Sequence, residues 1–386
     1  MSTAQIIERC QELFDDLNFG YAREWKAAGE GRKVVGFTPV YVPRELIHAA
    51  GMLPLGILGG GDQLEVIHGD AYYQSYICRI PRSTVELGVT GRLDFVDGML
   101  FPFVCDVMRN LSGMWKINFP GVYVHFFDTP QNFDPEIGGR YYRHELEELK
   151  EGLEQLGGRE ITDAALHESI ALYNENRRLV RAVYELRARE PWKAPTSEVY
   201  LLMRAGMTLA VEEHNRMLVD YMAAAQAEDR PRRDNCRTAI TGSFCEQPPL
   251  NLVKAIEIAG CYVVDDDYML VNRWLMEAVP TDGDPLENLS RAFLEHSVET
   301  SCKYVEREQD KGRFLVESVR SSGAEGVIFA APSFCDPALL DQPMLQSRLA
   351  EENIPYIALQ YAENSGQMQP IREQAGTFAD SIKLWE

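Results

Sequence analysis

Eight cysteines, at positions 10, 78, 105, 236, 245, 261, 302 and 335, are the side chains with the most chemistry to offer. Three of them draw notice, and two, Cys105 and Cys335, stand where a fold could deliver groups to a shared cleft edge. Cys105 follows the apolar run Leu100-Phe101-Pro102-Phe103-Val104, Cys335 lies in Pro332-Ser333-Phe334-Cys335-Asp336-Pro337 just after another, and Cys78 is flanked by Ile77 and by Arg79 and Arg82. Thiolates are soft ligands suited to iron–sulfur clusters, and nearby arginines favour their charged form. The other role open to each is that of a small buried hydrophobe. Cys236 and Cys245 fit packing better than ligation, and Cys10, Cys261 and Cys302 rank lower still. The sequence carries no phosphate-binding loop, serine nucleophile elbow, paired CxxC or zinc protease motif. Gly59-Gly60-Gly61-Asp62 lacks the spacing of a dinucleotide fingerprint and reads as a turn.

Several other groups could serve a site. Arg79 and Arg82 could neutralise a phosphate or a cluster's negative field, or cap and hold local structure. Asp265, Asp266 and Asp267 repel one another and need cations or caps; Arg273, eight residues past Asp265, can reach back if the chain bends. His125, in Val124-His125-Phe126-Phe127, could transfer a proton near neutral pH, although an edge or core position suits it better. Tyr72, Tyr73, Tyr76, Trp115, Phe126 and Phe127 could line an aromatic cavity, or pack the first domain.

The elements that must position these residues follow from periodicity. Short apolar runs at 33–37, 53–58, 95–101 and 122–127 alternate with helical stretches at 43–50 and 104–114 and a partly helical crossover at 73–87, which is α/β grammar with a parallel sheet. From about residue 141 to 227 Leu, Glu, Arg and Ala recur at helical spacing, in the stretches 141–156, 163–189 and 197–227, with no convincing strand. Alternation returns with strands at 237–242, 262–265, 326–330 and 355–359, and helices at 250–259, 291–305, 312–322 and 344–350. The fold class is therefore α/β: two Rossmann-like or flavodoxin-like parallel-sheet domains, 1–140 with a leading helix and 231–386, with a helical middle domain at 141–230. Such an arrangement creates a cleft where the carboxyl ends of strands meet.

The 386 residues suffice for two or three domains of ordinary size, and 45% hydrophobic with 25% charged residues fits a folded chain. Thirty-eight basic against 59 acidic residues give −21, which disfavours non-specific attraction to nucleic acid or an anionic membrane. No apolar stretch is long enough to span a bilayer, and Glu8 and Glu12 break any secretory core at the start. Eight dispersed cysteines then read as thiols in a reducing cytoplasm.

Six ordered blocks add a likeness: VGFTPVYVPRELIHAAGMLPLGILGG at 35–60, YICRIPRS at 76–83, FPFVCDVMRN at 101–110, GSFCEQPPLNLVKAIEIAGCYVVDDDYMLVNR at 242–273, GVIFAAPSFCDP at 326–337 and IPYIALQYAENSGQMQPIREQAGTF at 354–378. Across nearly its whole length the chain resembles the 2-hydroxyacyl-CoA dehydratase and benzoyl-CoA reductase family, and most of all the smaller cluster-carrying subunits of its ATP-dependent reductases. The resemblance implies three cysteines holding a [4Fe-4S] cluster between α/β domains; matched block by block, these are Cys78, Cys105 and Cys335. Three thiolates leave one iron position for water, another ligand or substrate chemistry. The resemblance further implies partners: a larger cluster-carrying reductase subunit, two ATP-hydrolysing activator-type subunits on which ATP and Mg2+ would sit, and reduced ferredoxin. The implied reaction reduces the aromatic ring of benzoyl-CoA to cyclohexa-1,5-diene-1-carbonyl-CoA. Adding an electron to the ring sacrifices delocalisation, so a strongly reducing donor is required, and the thioester carbonyl helps to spread the first added electron. A 2-hydroxyacyl-CoA dehydratase subunit, which uses its electron recyclably to eliminate water, shares the cysteine blocks. A noncatalytic assembly scaffold is the alternative outside enzyme chemistry.

Overall fold

Apolar runs without alternation form parallel strands buried on both faces, and this chain builds two sheets of that kind. The computed structural model describes residues 1–242, 248–275, 277–300, 303, 311–362 and 368–384. After helices α1 (Thr3–Asp15) and α2 (Gly20–Ala27), the first unit runs β1 (Val34–Phe37), α3 (Arg44–Ala49), β2 (Leu53–Gly56), α4 (Arg79–Val89), β3 (Gly98–Pro102), α5 (Asp106–Asn118) and β4 (Tyr123–Phe127). Its strands lie in the order β2-β1-β3-β4, all parallel, with Phe37 opposite Leu100 and Leu100 opposite His125. Every residue of β1, β2 and β3 is buried. Pro54, which cannot donate to a ladder, sits on the edge strand β2.

Four helices follow: α6 (Arg140–Gly157), α7 (Asp163–Arg189), α8 (Thr196–Ala205) and α9 (Val211–Ala227). The single helical stretch expected over 197–227 is two helices, because the chain turns at 206–210. There the His214 ring lies so close to Gly206 that a Cβ would meet it at 2.4 Å.

The second unit runs β5 (Cys236–Thr241), α10 (Leu250–Ile258), β6 (Cys261–Asp266), α11 (Pro285–His296), α12 (Arg313–Ser322), β7 (Gly326–Pro332), α13 (Asp336–Glu351), β8 (Tyr356–Tyr361) and α14 (Met368–Leu384). Its strand order, β6-β5-β7-β8, repeats that of the first sheet. Thus two four-stranded parallel sheets are separated by a helical region, as the alternation predicts. Helix α11 starts earlier than its expected residue 291, because Asp284 caps Pro285–Glu287 by accepting from the N–H groups of Leu286 and Glu287; it ends at His296, and of the rest of the expected stretch to 305, residues 301, 302, 304 and 305 lie outside the described ones.

Helix α7, 27 residues and about 40 Å long, braces both units. Near its start Ser169 Oγ donates to the carbonyl of Glu45 in α3, and Arg177 pairs with the buried Glu45 side chain at 2.5 Å. Near its end Arg187 pairs with Asp266 of β6 at 2.5 Å, both side chains being buried. Tyr41, just past β1, crosses directly to the second unit: its hydroxyl donates to the Val298 carbonyl at 3.0 Å, and its ring meets Phe293 edge-on.

Candidate functional site

In an open parallel sheet, ligands meet the carboxyl ends of strands where the strand order reverses. These sheets reverse between β1 and β3 and between β5 and β7. Cys105 follows β3 and Cys335 follows β7, each after a turn of two residues, while Cys78 closes the long connection from β2. All three occupy the residue that precedes the first turn of a helix, with Cys78 before α4, Cys105 before α5 and Cys335 before α13. A sulfur there faces unsatisfied N–H groups and the positive end of the helix, both of which favour negative charge. At Cys105 burial pushes the thiol up and the backbone N–H groups of Met108 and Val107 pull it back, leaving it raised. Asp336, the residue after Cys335, acts on Cys105 as well, so these two cysteine-bearing turns are neighbours. Tyr73 relates Cys105 to Cys78: burial raises its phenol, and negative charge on Cys78 and Cys105 raises it further.

The segment that delivers Cys78 is held by a buried carboxylate. Glu86, on α4, is 3% exposed. Its Oε2 accepts from the backbone N–H groups of Ile67, His68 and Gly69 at 2.9, 2.6 and 2.8 Å, and its Oε1 lies 2.9 Å from His68 Nδ1. Burial pushes the Glu86 carboxyl up, but His68 and the three N–H groups together outweigh it and hold it below its ordinary value. Arg82 pairs with Asp70 at 2.8 Å and Arg79 donates to the Leu64 carbonyl. Both arginines therefore hold this loop together. The sequence signal for Glu86 was a lone carboxylate inside Thr84-Val85-Glu86-Leu87, a buried helical stretch.

The other candidates are dispersed. Arg273 does reach back to Asp265, at 2.9 Å, and Ser318 donates to the same carboxylate. Asp266 takes Arg187, and Asp267 accepts from Gly242 N and Thr241 Oγ1 at 2.6 and 3.2 Å. The acidic triplet thus divides among three partners, and Arg187, 79 residues away, had no local signal. His125 lies between Tyr123 and Phe127 on edge strand β4, where burial lowers its pKa. Trp115 and Phe127 are core; Tyr72 and Tyr76 are exposed. Cys10, Cys236 and Cys261 are buried, and burial pushes the thiols of Cys10 and Cys261 up to about 12. Cys245 and Cys302 lie outside the described residues. Gly59 adopts a left-handed conformation with its Cα side against Ser83, and Gly61–Gln63 forms a single tight turn, as the glycine run predicts.

Among the described residues, no three His, Cys, Asp or Glu side chains converge tightly enough to hold one metal ion. A cubane cluster makes a different demand, because each cysteine binds a different iron at its own corner and the sulfurs stand farther apart. The donor chemistry fits such a group: three soft thiols at helix N-termini, and within electrostatic range of two of them a buried Tyr73 hydroxyl that finds no partner among the described residues. No described helix is long and apolar enough to cross a membrane.

The family model described as HGD-D, 2-hydroxyglutaryl-CoA dehydratase, D-component, matches residues 39–382. A benzoyl-CoA reductase polypeptide of Thauera aromatica is 68% identical over 385 residues, covering 100% of both chains. The beta subunit of (R)-2-hydroxyglutaryl-CoA dehydratase from Acidaminococcus fermentans is 28% identical, over 99% of this chain and 100% of its own. The beta subunit of (R)-phenyllactyl-CoA dehydratase from Clostridium sporogenes is 25% identical, over 91% and 92%.

Proposed function

The chain belongs to the 2-hydroxyglutaryl-CoA dehydratase D-component family, and from that premise we propose that it is the smaller cluster-carrying subunit of an ATP-dependent, ferredoxin-linked benzoyl-CoA reductase. The observation that carries this reading is the full-length 68% identity to a benzoyl-CoA reductase polypeptide, set against 25% and 28% to the two dehydratase beta subunits. The reaction adds two electrons and two protons to the ring of benzoyl-CoA, giving cyclohexa-1,5-diene-1-carbonyl-CoA with the thioester intact. In this reading the reductase is completed by a larger polypeptide that also carries a cluster. Two ATP-hydrolysing subunits, binding ATP and Mg2+, deliver electrons from ferredoxin in the cytoplasm.

Cys78, Cys105 and Cys335 would hold a [4Fe-4S] cluster, which when bound supplies single electrons at low potential. The chain's own contribution is placement. At Cys105 the N–H groups of Val107 and Met108, in the first turn of α5, act on the sulfur, Glu86 fixes the loop before Cys78, and Ile80, Val104 and Met108 are buried beside the cysteine-bearing turns. Iron and acid-labile sulfide on the anaerobically purified chain, separated from its partners, test the site: about four of each are expected. Substituting Cys78, Cys105 or Cys335 by Ser should lower both, and full iron in all three variants would refute the assignment. With partners restored, electrons consumed in step with diene formed identify ring reduction; turnover of a 2-hydroxyacyl-CoA on catalytic electrons would make the protein part of a dehydratase. Association without iron or turnover would leave a scaffold.

A further inference from the structure

A buried hydroxyl without a partner is destabilising, and native structures supply a partner to nearly all of them. Tyr73 packs its ring against the core of the first unit, and its hydroxyl is shut off from solvent with no hydrogen-bond partner among the described residues. Phenylalanine would fill the same space without that cost. Besides burial, the charges that act on this phenol are those of the Cys78 and Cys105 thiols, so the buried hydroxyl lies within electrostatic range of both sulfurs, five residues along the same clamped loop from Cys78. Its position is not left to a loose loop. Glu86 clamps the N–H groups of Ile67, His68 and Gly69, and the Tyr72 N–H closes a tight turn on the Gly69 carbonyl at 3.1 Å.

A phenol in such a place has one thing to offer acceptor atoms: an O–H donor. Resting on the proposed cluster at Cys78, Cys105 and Cys335, we propose that Tyr73 donates a hydrogen bond to a sulfur of that cluster on its Cys78–Cys105 face and so sets its reduction potential. Hydrogen bonds to cluster and ligand sulfurs are among the protein's means of tuning potential. Reduction adds negative charge to the sulfurs, so a donor stabilises the reduced state more than the oxidised one and raises the potential. Removing it makes the cluster harder to reduce. Tyr73 is thus a cofactor-contacting residue distinct from the ligands.

The test is Tyr73→Phe in the full chain, purified anaerobically beside the unsubstituted protein. Iron and sulfide per chain should be unchanged, and the cluster-free variant should be at least as heat-stable as the parent, since it loses an unsatisfied group. A redox titration followed by electron paramagnetic resonance should show about a tenfold loss in the equilibrium constant for one-electron reduction, a shift of about 59 mV to more negative potential. Full iron with an unshifted potential overturns the inference while leaving the cluster assignment intact. Absence of iron from the parent chain overturns the proposed function instead. Where the phenylalanine variant loads poorly, the parent decides: electron–nuclear double resonance in H2O and D2O should reveal an exchangeable proton coupled to the reduced cluster. Its absence overturns the inference.

Discussion

Glu86→Ala isolates the contribution of a single buried carboxylate to the delivery of Cys78. The substitution removes the acceptor of three backbone N–H groups, at 2.9, 2.6 and 2.8 Å, and the partner of His68 at 2.9 Å. Hydrogen bonds to a charged group contribute about 1.5–3 kcal/mol each, but three such figures do not add. Ile67 and His68 lie on an exposed stretch and water can replace their acceptor, whereas Gly69 is buried and its N–H would be stranded. One stranded donor and two rehydrated ones give about 3 kcal/mol of local destabilisation, equivalent to roughly a hundredfold in the opening equilibrium. Native-state hydrogen exchange reads this directly. The amides of Ile67, His68 and Gly69 should exchange about a hundredfold faster in the variant, with those of the β3 strand unchanged. Glu86→Gln, which keeps one acceptor oxygen but turns an N–H toward the donors, should fall between. The Glu86 pKa is held below its ordinary 4.5 in the folded state, so its stabilisation is complete above that value and is lost as pH falls through the lowered one. The variant should lack this acid-sensitive component. Unchanged protection at Gly69 in the alanine variant would refute the reasoning, since Glu86 is the acceptor that holds that N–H.

The brace formed by α7 makes two further predictions. Arg187→Met should destabilise the chain by about 3–5 kcal/mol in urea unfolding, because it leaves the Asp266 carboxylate buried without its cation; the double variant Arg187→Met with Asp266→Asn should recover part of that loss, and no recovery would show that the ion pair is not the unit at stake. His214 is fully buried, with Nδ1 2.9 Å from Asn176 Nδ2 and Nε2 3.1 Å from the Leu202 carbonyl, an arrangement that suits the neutral ring with its proton on Nε2. Burial, with the charge of Arg44, lowers its pKa from 6.5 to about 4, so the neutral form's stabilisation is complete above 6.5 and is lost as pH falls toward 4. Parent stability relative to His214→Gln should therefore drop by about 2 kcal/mol between neutral pH and pH 5, and a pH-independent difference would refute the assignment.

Much of the fold could be read along the chain because its signals are local. Apolar runs with no alternation mark β1, β3 and β7 as doubly buried parallel strands, and the amphipathic repeat of Asp163–Arg189 matches α7 from end to end. Cys105 and Cys335 were marked by the strands that precede them. Helix α14 and the early start of α11 went unread. The first packs its Ala375 and Phe378 face against the second unit; the second begins at an Asp-Pro cap outside the periodic stretch.

What the sequence could not state was who meets whom. Asp265, Asp266 and Asp267 read as one repelling cluster, yet the strand sends Asp265 and Asp266 to different sides and Asp267 lies past its end, so each has its own partner. Glu86 reads as an ordinary helix carboxylate until the loop folds back over it, and Tyr73 as one aromatic among six until burial leaves its hydroxyl without a partner and within electrostatic range of two thiols. Residue type and local period determined the strands, the helices and the soft donors, because those depend on neighbours a few residues away. Burial and long-range pairing decided charge state, loop position and the orphaned hydroxyl, because both depend on segments that only the tertiary structure brings together.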